Sequence, residues 1–264
     1  MEVLDPQLAA DPMLASLIRE EAQSRQALQL RRAFSDAASP LSIVRQEAYF
    51  RISLQIDQGL SLGPPTSTAV LQALTAHHHE IVGSARDALA MAPSSEPSQR
   101  EVSEPELVSL LSVLQAACLF QPDTQRAACE AGIIQLLLQR LAAATPVLAC
   151  SCFDTLMSVQ HQQPPAFSEF VRQRGVEQVC EVLRHGGDRV RAHAARFLNL
   201  LLTHLAPALR GEGVEEDVAA SGRSVQSVLG REASAMLHRK VDLADAQAEG
   251  KLSQLANALQ FFMG

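Results

Sequence analysis

The 264-residue chain has no tryptophan and a single tyrosine. With nine phenylalanines, aromatics come to 4%, too few for the aromatic platform on which single-stranded nucleic acid stacks. Lysine is almost missing, with Lys240 and Lys251 alone among 22 basic residues. The formal net charge of −7 removes the basic footprint of a nucleic-acid binder. No apolar run approaches the length that spans a bilayer, so direct membrane insertion is not expected. The start, Met1-Glu2-Val3, has neither a basic region nor an apolar one, which reads as a cytosolic or nuclear protein. Cysteine is present in an odd number: Cys118, Cys129, Cys150, Cys152 and Cys180. Most fall in helix-like stretches, so free thiols in a reducing compartment are expected.

Chemical signatures are also lacking. Gly211-Glu212-Gly213 has neither the strand nor the Lys-Ser or Lys-Thr of a phosphate-binding loop. There is no Gly-x-Ser-x-Gly elbow and no His-Glu-x-x-His. His77-His78-His79 is a consecutive run whose rings fan out around a helix, read here as a solvated helix terminus. Cys150 and Cys152 are two apart and off a common helical face, as buried core residues would be. The acidic residues form no pair suited to acid/base work. The expectation is a non-enzyme without metal or cofactor.

What the chain does have is apolar bulk, 47% of residues, drawn mainly from Leu and Ala, which helices accommodate at least entropic cost. Residues 13–34 and the stretch opened by Ser39-Pro40 and stopped at Gly59 read as amphipathic helices. Two shorter helices are expected near 67–76 and 79–90, before a Pro/Ser/Glu-rich segment at 91–104 that reads as a linker or long loop. Ser103 and Glu106 form a capping-box pattern around Pro105. The expected organisation is a helical part over 1–90, the linker, a repeat block over 105–210, and an acidic loop with a helical cap over 211–264. Charge follows that division: −5 for 1–105, +1 for 106–210 and −3 for 211–264.

The repeat is the strongest signal. A short helix, a glycine, a second helix, a turn and a long helix occur twice, with Gly132-Ile133-Ile134 and Gly175-Val176 43 residues apart. Leu148, Cys152, Leu156 and Val159 return 42 residues later as Val190, Ala194, Leu198 and Leu201. Such a period belongs to three-helix solenoids, in which neighbouring units bury each other's apolar faces. The glycine supplies either a positive φ or a close backbone approach at a sharp turn before what reads as the third helix. In the tail, residues 224–238 and 241–262 have weaker helical phase. Leu252, Leu255, Leu259 and Phe262 make a stripe suited to capping the last unit.

Arg172, Arg174, Arg184, Arg189, Arg191 and Arg196 crowd the second repeat, among Glu177, Glu181 and Asp188. Two readings stand: an electropositive patch for an acidic or phosphorylated partner, or a solvated face tied up in its own ion pairs. Phe167, Phe170 and Phe197 lie nearby, as core or as a binding hot spot. Ser221, Ser224 and Ser227 beside Arg223 are open as phosphorylation sites.

Ala131–Val159 and Gly175–Leu202, with Val190-Arg191-Ala192-His193-Ala194-Ala195, resemble the armadillo repeat, implying an all-α, armadillo/HEAT-like short right-handed α-solenoid. Leu200 stands where peptide-gripping members carry asparagine, with Asn199 one residue early. More narrowly, Leu107–Phe120, Pro122–Leu141, Val147–Val159 and Phe167–Leu205 resemble the fungal cell division control protein 14 family of the septation initiation network, unrelated to the phosphatase of that name. That resemblance implies a non-catalytic subunit of a Ste20-like protein kinase, cytoplasmic and recruited to the spindle pole body, promoting septation and cytokinesis. The alternative is a general armadillo-type adaptor in another complex.

Overall fold

A computed structural model describes residues 12–62, 66–91, 102–208, 211 and 213–231, and every regular element among them is helical. The helices are α1 (Pro12–Ala37), α2 (Ser42–Leu62), α3 (Thr66–Ala90), α4 (Glu104–Phe120), α5 (Pro122–Glu130) and α6 (Ile133–Leu141). They continue with α7 (Pro146–Gln160), α8 (Pro164–Arg172), α9 (Gly175–His185) and α10 (Asp188–Leu200). A π-helical turn at Leu201–Leu205 leads into α11 (Ala206–Ala208), and α12 (Glu215–Leu229) follows.

Four long helices stack side by side, α2 on α4, α4 on α7 and α7 on α10, as the rungs of a ladder. The remaining helices back this ladder and enclose one continuous core running from Leu30 to Leu229. The period is tighter than the glycines imply. Ser103, Thr145 and Gly187 are the N-caps of α4, α7 and α10, each 42 residues from the next. Buried Leu110, Cys152 and Ala194 keep that interval, as do Leu114, Leu156 and Leu198. In the second helix of the unit, buried Ile134, Leu137, Leu138 and Leu141 recur as Val176, Val179, Cys180 and Leu183.

The 43-residue glycine spacing therefore hides two solutions to one turn. Gly132 takes the left-handed conformation with φ 73°. Its structural equivalent 42 residues on is Arg174, which takes the same conformation at φ 57°. Gly175 is needed for a different reason: a Cβ there would lie 2.3 Å from the Phe170 ring. Because the long helices form the ladder that ends each unit, these turns join its first helix to its second, not its second to its third.

Several expectations need correction. Residues 66–90 form one helix, since neither Gly nor Pro interrupts 77–79, and the histidine run lies mid-helix in α3. His77 stacks on Phe34 with ring centroids 4.1 Å apart and bonds Glu80 at 2.8 Å. Gly59 does not stop α2, which continues to Leu62. A side chain at 59 would instead strike Val70, 2.5 Å from the Cβ position, so this glycine lets α2 approach α3. The capping box is half formed. Ser103 accepts from the Glu106 backbone N–H, but the Glu106 carboxylate turns inward to Arg45. Glu215, Glu216 and Asp217 are not loop residues. They make the first turn of α12, where negative charge favours the helix N-terminus. The stripe Leu252–Phe262 lies outside the described residues.

The N-terminal helices are not a separate body. The Arg45–Glu106 pair joins α2 to α4 at 2.5 Å, with side chains only 4% and 2% exposed. Ser42 donates to the same carboxylate, and Arg45 also donates to the carbonyls of Ser39 and Pro40. Arg140 of α6 donates to the Leu89 carbonyl at the end of α3.

Candidate functional site

The six arginines do not form one patch. Arg172 pairs with Glu169, Arg184 with Glu181 at 3.7 Å, and Arg191, largely buried, with Asp188. Arg172 lies within electrostatic reach of Cys129 on α5, so it faces the first helix of the preceding unit. Arg174 sits in the left-handed turn. Only Arg189 and Arg196 project from the ladder helix α10: Arg189 lies against the Cys150 thiol, and Arg196 is near Asp154. Both are exposed and neither enters an ion pair among the described residues. The three phenylalanines are core. Phe167, Phe170 and Phe197 are at most 2% exposed, and Phe197 tilts against Phe153 and Phe170 with centroids 5.6 Å apart.

The ladder itself offers the larger surface, one that the arginine reading missed. On α2, Ile43, Glu47, Phe50 and Leu54 follow the i, i+4, i+7, i+11 spacing of a single helical face. That face is opposite the core, and Ile43, Phe50 and Leu54 are 71%, 56% and 42% exposed. Ser53 beside them meets Ser112 of α4 at 3.1 Å, which fixes how the rows align. The 42-residue register then places Ser112, Asp154 and Arg196 in one row across α4, α7 and α10. Pro105, Val147 and Arg189 share a second row. Leu119 lies two turns beyond Ser112 on the same side of α4. It is 56% exposed and Val147 is 47% exposed. Among the described residues, five of the ten large apolar side chains left in solvent are thus on one face of the ladder, a concentration that marks an interaction surface rather than scattered exposure. The sequence did carry this signal. Ile43, Phe50 and Leu54 recur at helical spacing as a second apolar line, offset from the buried line of Ala48, Ile52 and Ile56.

Charge changes along this face. Glu47 and Asp57 stand at the α2 end, Glu47 3.6 Å from Arg51. The Asp154 carboxyl is raised above the ordinary carboxylate range by loss of hydration, an effect that His193 and Arg196 partly offset. The α10 end carries Arg189 and Arg196. At the place expected for a groove asparagine, Leu200 is half-buried, and Asn199 is fully buried, its backbone carbonyl accepting from Thr203.

Among the described residues no group of His, Cys, Asp or Glu is arranged to hold a metal ion. All five cysteines are free. Burial pushes Cys118, Cys152 and Cys180 up to about 12, so these thiols stay protonated and unreactive at neutral pH. Ser221 is fully buried with its hydroxyl on the Asp217 carbonyl, and Ser224 bonds Glu177. Ser227 is the exposed one of the three serines. A cleft of about 460 Å³ lies between Leu202, Ala206, Val218 and Gly222, lined by small and apolar side chains around Glu215. No described helix is long and apolar enough to cross a membrane.

No known family model matches the chain, and no curated protein does. Solved structures do. A designed armadillo repeat protein is 12% identical with a TM-score of 0.52, covering 88% of this chain and 99% of its own. Two engineered proteins from the Northeast Structural Genomics Consortium are similar. One is 15% identical with a TM-score of 0.51, covering 89% of this chain and 97% of that one. The other is 13% identical with a TM-score of 0.53, covering 88% and 98%. These likenesses concern the fold: the chain is an all-α, armadillo-like solenoid.

Proposed function

We propose that the chain is a non-catalytic scaffold that holds a partner protein on the solvent face of its ladder. The single observation that carries this reading is the gathering of Ile43, Phe50, Leu54, Leu119 and Val147 on that face. Exposed apolar area of this kind lowers its free energy by being covered, at roughly 25 cal/mol per Å². A rigid stack of helices can present it without reorganising. The partner in this reading is a Ste20-like protein kinase of the septation initiation network. The chain acts in the cytoplasm, is recruited with the kinase to the spindle pole body, and promotes septum formation and cytokinesis. Support for the kinase comes from the resemblance of the block 107–205 to the septation family, and support for scaffolding comes from the armadillo-like fold. The test is affinity capture of the endogenous protein from mitotic cells with mass spectrometry. Stoichiometric recovery of a Ste20-like kinase is expected. Recovery of a kinase-free assembly would leave a general armadillo-type adaptor and remove the septation role.

A further inference from the structure

The chain has two Ser/Thr-Pro dipeptides, Ser39-Pro40 and Thr145-Pro146, and each stands at the start of a ladder helix, α2 and α7 respectively. Proline holds the residue before it in extended backbone and has no N–H to donate. Thr145 shows this, with φ −62° and ψ 163° at the N-cap of α7. The segment 142–147 around it is exposed except for half-buried Ala144. An exposed hydroxyl on extended backbone, with proline directly after it, is the form in which proline-directed protein kinases take their substrates. Ser39 is less available. It is half-buried, its hydroxyl takes the Leu41 N–H at 3.2 Å, and its carbonyl takes Arg45 of the buried Arg45–Glu106 pair at 3.0 Å. None of Ser221, Ser224 and Ser227 is followed by proline.

The Thr145 hydroxyl stands between two ladder helices. It donates to the Glu104 carboxylate in the first turn of α4 and accepts from the Leu148 backbone N–H at 3.4 Å. On the other side, Arg189 of α10 is exposed and shares the row of Val147, two residues after Thr145. We propose that Thr145 is the phosphoacceptor of a proline-directed Ser/Thr protein kinase, and that its phosphate exchanges the tie to Glu104 for one to Arg189. In the transfer, the Thr145 oxygen attacks the γ-phosphorus of ATP and the bond from that phosphorus to the β,γ-bridging oxygen breaks. ADP leaves, and the hydroxyl proton passes to the catalytic aspartate of the kinase. Once esterified, the oxygen has no proton to donate to Glu104, and a dianionic group repels that carboxylate. The Arg189 guanidinium and the backbone N–H groups in the first turn of α7 answer the new charge. The exchange withdraws an exposed cation from the face that the scaffold reading gives to a partner. Only that consequence rests on the scaffold reading, because the modification itself needs no partner on the ladder.

The test uses the folded, full-length chain with ATP, Mg²⁺ and a purified mitogen-activated or cyclin-dependent kinase, each tried separately. Tandem mass spectrometry should place stoichiometric phosphate on Thr145. Thr145→Val and Pro146→Ala should each abolish that incorporation with an unchanged circular dichroism spectrum. Thr145→Ser should keep it, and Ser39→Ala should leave it as it is. In nuclear magnetic resonance spectra, the Arg189 Nε–H signal, identified by its loss in Arg189→Lys, should shift on modification while that of Arg196 stays in place. No phosphate on Thr145 from either kinase, phosphate added only after heat unfolding, or incorporation that survives Pro146→Ala would overturn the phosphoacceptor assignment. An Arg189 signal unmoved in the fully modified chain would overturn the exchange of ties. None of these readouts involves the captured kinase, so the scaffold reading and this inference fail separately.

Discussion

At position 106 the 42-residue register calls for an apolar side chain, as Leu148 and Val190 show in the next two units, yet a carboxylate is buried there. It is tolerable only because Arg45 and Ser42 satisfy it. Removing one partner strands the other charge, so Arg45→Ala should destabilise the chain by about 3–5 kcal/mol. Arg45→Leu/Glu106→Leu together should cost far less, bringing position 106 into line with the rest of the series. Urea unfolding of the three proteins distinguishes these outcomes. The buried thiols make a second prediction. Cys118, Cys152 and Cys180 are raised from 9.0 to about 12. Between those values the unfolded chain releases protons that the folded chain retains. The stabilisation is therefore complete below about pH 9 and is lost as pH climbs towards 12. Thermal unfolding across that range should show the decline, and Cys→Ala variants should flatten it.

Among elements, the two glycine turns differ in what they require. Gly175→Ala meets the Phe170 ring at 2.3 Å and should destabilise by about 1–3 kcal/mol through overpacking. Gly132→Ala meets no neighbour and pays only for its positive φ, about 1 kcal/mol. Arg174→Gly relieves a left-handed non-glycine residue and should raise the melting temperature, reversing the usual sign of a glycine substitution. The helices and the armadillo-like repeat were legible in the sequence because periodicity and caps are local. Gly59 was misread as a stop because its role depends on Val70, which only packing brings near. Glu106 was misread as half of a capping box because its alternative partner, Arg45, is 61 residues away. The arginine cluster stayed open between a patch and a solvated face because adjacency in sequence says nothing about which helices face which way.

At the scale of the whole molecule, a solenoid is stabilised by nearest-neighbour contacts, so protection should follow position in the stack. Hydrogen exchange is expected to be slowest in α4, α6 and α7, which have neighbours on both sides, and faster in α1 and α12. Uniform protection would mean that the N-terminal helices and the repeats open as a single cooperative unit. The α2 stripe is visible in the sequence, but the ladder face as a whole was readable only at this scale, since it is assembled from four helices spread over about 160 residues of sequence.

The constant interval has a genetic corollary. Gln121-Pro122 and Gln163-Pro164 are the same dipeptide, at the same place in consecutive units. A gene shortened by the codons for 122–163 would splice Gln121 to Pro164 and recreate that junction without a seam. Every later buried position would keep its phase, and α4 would face α10, at the cost of the bonds that Gln115 makes to Ser151 and Thr155. The chain is in this sense a text written in interchangeable paragraphs, able to lengthen or shorten by duplication and excision while its fold stays grammatical.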